Sequence, residues 1–128
     1  MSLTREIEDR WLWGFDIRPS AAHIDAWERA SAKIEGRAPF LYLPRHVLPP
    51  IQLRWDDGGL PATAAAETSL FRGGVVVVVL RSTRPPDAVH ADALHELQHV
   101  LDRSLIGCLS PAMLEWRADA TAERLARL

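Results

Sequence analysis

One cysteine (Cys108), one lysine (Lys33) and one tyrosine (Tyr42) are all that 128 residues contain of these three types. A lone cysteine cannot close a disulfide within the chain, so no covalent staple is expected and a reducing compartment is the natural setting. An excess of positive charge is missing too. Fifteen basic residues face seventeen acidic ones, for a formal net charge of −2, whereas nucleic-acid-binding domains generally display a basic surface; direct nucleic-acid binding is not expected. No apolar run approaches the roughly 20 residues of a membrane-spanning helix, and the segment Met1 to Arg10 is too charged for a signal peptide. These absences predict a cytoplasmic protein with no membrane partner. Repeats, linkers and low-complexity tracts are also lacking. What remains is an ordinary globular composition, 48% hydrophobic and 25% charged, and a length that predicts one domain over residues 1–128.

Against this plain background stands His95-Glu96-Leu97-Gln98-His99. On a helix, imidazoles at i and i+4 share a face one turn apart and can grip a single Zn²⁺. Glu96 is offset around the helix, beside the metal rather than on it, where it can take a proton from the attacking water. A catalytic zinc takes three protein ligands and keeps a position open. Glu115, sixteen residues beyond His99, is the candidate for the third ligand. Asp119, at i+4 from Glu115, would share its face and could accept a hydrogen bond from the outer nitrogen of a ligand histidine. Sites of two histidines and a glutamate also accept Mn²⁺, Fe²⁺ or Co²⁺.

Periodicity places these residues in an α+β domain. Leu3, Ile7 and Trp11 predict a short amphipathic helix over residues 3–13. A second helix is predicted from the N-cap Ser20 to Gly36, with Ile24, Trp27, Ser31 and Ile34 along one face. Prolines 39, 44, 49 and 50 keep the chain irregular or extended, and Ile51 to Trp55 alternates as a half-buried strand before an Asp57-Gly58-Gly59 turn. Residues 62–71 read as either helix or a strand entering a hairpin at Arg72-Gly73-Gly74. The run Val75 to Leu80 predicts a strand, covered on both faces or at a sheet edge. Beyond Pro85 and Pro86, Asp87 is a candidate cap for the His-Glu-x-x-His helix, which is expected to reach about Ser104 with Leu94, Leu97 and Leu101 in the core. A last helix, roughly Pro111 to Leu128, would pack through Leu114, Ala118, Ala122 and Leu125.

A strand, a His-Glu-x-x-His helix and a helix bearing Glu115-x-x-Ala118-Asp119-x-x-Ala122 together resemble the gluzincin-type metallopeptidases of the ImmA/IrrE family over residues 75–126. The resemblance implies a compact zincin-like domain, a small sheet packed on the active-site helix, and a zinc held by His95, His99 and Glu115 with Glu96 as general base. It also implies an intracellular protein partner as substrate, which in the family is a transcriptional repressor. Gln98 stands where members often have glycine, and the chain ends soon after the ligand helix, where many relatives continue. The metzincin signature would need Gly at 102 and His at 105, where this chain has Asp102 and Leu105. A SprT-like site would need a histidine after His99, and none follows.

Zinc-dependent hydrolysis of a peptide bond is the expected chemistry, with Tyr42, His90 and Arg117 as candidate oxyanion stabilisers by residue type, and with the Val75 to Leu80 strand as an edge that a peptide could join. The competing functions are a non-catalytic protein-binding module stabilised by metal and a metallopeptidase-like subunit of a larger complex. By residue type, Asp102 is expected to be solvated, Cys108 buried or half-buried, and Trp11, Trp13, Trp27, Trp55 and Trp116 core or interface anchors. His23, His46 and His90 are expected at structural or surface positions.

Overall fold

The computed structural model describes residues 19–36, 48–56, 60 and 63–128. The expected helix over 3–13, the Asp57-Gly58-Gly59 turn and Tyr42, His46, Trp11 and Trp13 lie outside these residues. The architecture is α+β: helix α1 (Ala21–Gly36), strands β1 (Ile51–Asp56), β2 (Ala66–Leu70) and β3 (Val76–Arg81), then helices α2 (Pro86–Leu101) and α3 (Pro111–Ala126). No helix among the described residues is long and apolar enough to cross a membrane.

The three strands form one sheet in the order β1-β3-β2. β1 runs parallel to β3, with Ile51 opposite Val76; β2 runs antiparallel to β3, with Leu70 opposite Val76 and Thr68 opposite Val78. Within the stretch 62–71, Ala66–Leu70 form the hairpin strand, because the glycines behind them permit the turn. Gly73 and Gly74 both lie at φ near +80°, where a Cβ is disfavoured, and Phe71 N–H donates across the turn to the Val75 carbonyl at 2.8 Å. The β-branched run of β3 takes the centre of the sheet. Val76, Val78 and Leu80 are buried on one face and Val77 and Val79 half-covered on the other. The expectation that this strand offers a free edge is corrected; β2 is the edge beside the functional residues.

Helix α2 is the hub. Val89, Ala93, Leu94, Leu97, Val100 and Leu101 join Trp27 and Ile34 of α1, Ile51, Leu53 and Trp55 of β1, and Leu125 of α3 in one apolar core. Its predicted back face is buried as expected, whereas its start is not capped by Asp87. Pro85 is the N-cap and Pro86 the first helical residue, leaving Asp87 in the first turn, because proline at that position sacrifices no hydrogen bond. The helix gives way to a tighter turn at Asp102–Leu105.

Helix α1 begins at Ser20 as predicted, where its Oγ accepts from the His23 N–H at 3.3 Å. His23 bridges that serine and the Arg84 carbonyl, at 2.7 and 2.8 Å, a structural role. Ala26 and Ala30, outside the predicted stripe, are buried too, letting α1 approach α2 closely. Helix α3 starts at Ser110, whose Oγ accepts from the Met113 N–H. Of its predicted stripe, Ala118 and Leu125 are buried and Leu114 and Ala122 half-buried.

Candidate metal centre

His95 and His99 lie on the face of α2 that looks between β2 and α3, and each imidazole is about one-fifth exposed. Their Nε2 atoms stand 3.1 Å apart. Across from them, the Glu115 carboxylate on α3 places Oε2 at 3.1 Å from His95 Nε2 and Oε1 at 2.9 Å from His99 Nε2. The three residues expected to converge do so and could hold a metal ion.

The donor set fits a tetrahedral metal. Ligand atoms about 2.0–2.1 Å from a common Zn²⁺ are separated by roughly 3.3 Å in tetrahedral geometry, close to the spacing found here. Asp119 supplies a further constraint. Its Oδ1 lies 2.9 Å from His95 Nδ1, so Nδ1 carries the proton and Nε2 presents its lone pair to the cluster. That lone pair and the Glu115 carboxylate are both acceptors at 3.1 Å; two acceptors this close are stable only when they share a cation, either a proton or a metal ion. Asp119 thus lies within reach of the outer nitrogen of His95.

Glu96 is buried, with its Oε2 3.7 Å from His95 Nε2. Burial pushes its carboxyl above the usual range; the Thr68 hydroxyl and the imidazoles of His95 and His99 oppose that rise, and Glu115 adds to it. Thr68 of β2 donates to Glu96 Oε1 at 2.8 Å and so orients the carboxylate. Its place in the sequence carried no cue, since the contact depends on the pairing of β2 with β3.

A cleft of about 720 Å³ opens over these groups, lined by His95, Glu96, His99, Glu115 and Asp119 and bordered by Ala66, Thr68 and Leu70 of β2. No family model, curated protein or solved structure matches this chain.

The oxyanion candidates do not fit. Tyr42 is outside the described residues. His90 is 5% exposed and is not among the cleft-lining residues. Arg117 is committed to Asp102 by two hydrogen bonds of 2.8 and 2.9 Å. Asp102 itself overturns the expectation of a solvated carboxylate. It is 1% exposed, because Gln98, one turn earlier, and Arg117 from the facing helix supply the donors that make burial tolerable. One further expectation fails: Cys108 is exposed, carried outward by a turn with Gly107 at φ +91°. Trp116 is 64% exposed on α3, outside the core. Trp27 and Trp55 do belong to the core.

Proposed function

We propose that this chain is a zinc-dependent endopeptidase with a zincin-like domain, acting on an intracellular protein partner through a water activated at the His95, His99 and Glu115 cluster. The observation that carries the reading is the convergence of three ligand side chains with a buried fourth group, Glu96, which stands beside them and is oriented by Thr68 rather than by the ligands. A purely structural metal site has no use for such a carboxylate.

Zn²⁺, when bound, would lower the pKa of a water toward about 7 and polarise the scissile carbonyl. Glu96 accepts the proton of the attacking water, helped by a basicity that burial raises, and returns a proton to the departing amine. Thr68 fixes Glu96 Oε1 by donating to it, which leaves the other oxygen on the histidine side. Asp119 holds the His95 ring in the tautomer that directs Nε2 inward. An extended peptide would add along the outer edge of β2, with which no other strand pairs among the described residues, and would then cross the cleft beside Glu96. The resemblance to the ImmA/IrrE family extends the proposal to a transcriptional repressor as the partner.

The test pairs metal analysis with cleavage. Purified wild type should carry about one zinc per chain, and His99→Ala should carry none. Glu96→Gln should keep the metal while cleavage falls about 10²- to 10⁴-fold. Retention of full biological activity in Glu96→Gln would eliminate the endopeptidase reading.

A further inference from the structure

Glu115 is 58% exposed along its side chain, and among the described residues its carboxylate meets the two imidazoles it faces. Nothing local fixes where it points, so its placement depends on how α3 sits against α2. The apolar contact between these helices is poorly suited to set that register. Ala118 is small, Ala122 and Leu114 are only half-buried, and Leu125 lies near the far end. A smooth seam of small side chains permits rotation and sliding at little cost.

A buried polar chain lies in the same seam. Thr121 Oγ1 of α3 donates to Gln98 Oε1 of α2 at 3.0 Å, and Gln98 Nε2 donates to Asp102 Oδ1 at 2.9 Å. Asp102 then accepts both guanidinium bonds from Arg117, returning to α3. Gln98 and Thr121 are 0% and 2% exposed. Thr121 and Arg117 are four residues apart, as are Gln98 and Asp102, so one turn of each helix is tied to one turn of the other. A shift of α3 by a single residue would part the Arg117 guanidinium from the buried Asp102 carboxylate and the Thr121 hydroxyl from Gln98 Oε1, leaving that carboxylate without its counter-charge. Buried polar groups fix register in just this way.

We infer that Gln98, Asp102, Arg117 and Thr121 are positioning residues, a polar clamp that sets the register of α3 so that Glu115 meets His95 and His99. The inference rests on the metal-site reading for its purpose but not for its geometry. Gln98 sits one residue before a ligand histidine and Arg117 two residues after the ligand glutamate, so the clamp and the ligand triad share the same helical turns.

The test separates register from metal. In a Cys108→Ser background, thiols placed by His99→Cys and Glu115→Cys are bridged with dibromobimane, which fluoresces only when both react. The clamp is then replaced by apolar side chains of similar volume: Gln98→Leu, Asp102→Leu, Arg117→Met and Thr121→Val together. This variant should remain helical by circular dichroism yet bridge several-fold more slowly. With the native ligands restored, it should bind Zn²⁺ about 10- to 100-fold more weakly than wild type. Should the fourfold variant not fold, Arg117→Lys keeps the charge, loses the fork and should slow bridging in the same direction. An unchanged bridging rate in a folded clamp variant overturns the inference whatever zinc does. A slowed rate in a protein whose wild type binds no Zn²⁺ sustains the clamp and removes the metal reading.

Discussion

The interface between α2 and α3 holds two polar clusters within a few residues of each other, and they are opposites. In one, Gln98, Asp102 and Thr121 are buried, Arg117 is half-buried, and each bond among them pairs a donor with an acceptor. In the other, His95, His99 and Glu115 are partly open to a cleft and bring ring nitrogens and carboxylate oxygens together at 2.9–3.1 Å. The first satisfies itself and contributes to architecture. The second could hold a metal ion. Residue type does not distinguish them, since each contains an acid and a nitrogen base; the matching of protons to lone pairs does.

The contrast is broken most directly by removing one carboxylate from each cluster in metal-free protein. Asp102→Ala leaves Arg117 and Gln98 facing a hole and should cost about 3 kcal/mol, a fall in Tm of roughly 10 °C, read by thermal melts. Glu115→Gln under the same conditions should stay within about 0.5 kcal/mol of wild type. Equal effects would mean that the two clusters do not differ as argued. A smaller effect sharpens the comparison: Asp119→Ala should weaken Zn²⁺ binding about 10- to 100-fold with little change in the metal-free melt, measured by competition with a chromophoric chelator. The smallest concerns His90, buried on the other side of α2. Burial, and then the charges of Lys33 and Arg29, hold its pKa below the ordinary 6.5, against weaker pulls from Asp87 and Asp25. A depressed folded-state pKa means that the unfolded chain protonates first, so stability is kept above 6.5 and lost as pH falls below it. Urea midpoints of wild type should therefore drop on acidification more than those of His90→Leu.

How much of this could be read from the residues alone follows from the range of the interactions. The ligand spacing of His95 and His99 and the face shared by Glu115 and Asp119 are properties of a single helix, so they were legible. The hub position of α2 followed from Leu94, Leu97 and Leu101 at helical spacing. Thr68 was invisible, because its hydroxyl reaches Glu96 only through strand pairing. Asp102 was misjudged for a related reason: composition says that carboxylates are solvated, and only the arrival of Arg117 from another helix reverses that. The central place of β3 likewise depended on β1 and β2 claiming both of its edges; the long valine run was consistent with centre or edge.

The hairpin turn between Phe71 and Val75 carries a consequence beyond its own geometry. Side chains on a strand alternate, so inserting or deleting one residue in that loop would slip β2 by one place and send Thr68 to the opposite side of the sheet. Glu96 would then lose its hydroxyl partner without any change near the histidines. A pair of glycines with no chemistry of their own acts as the vernier by which the Glu96 carboxylate is aimed.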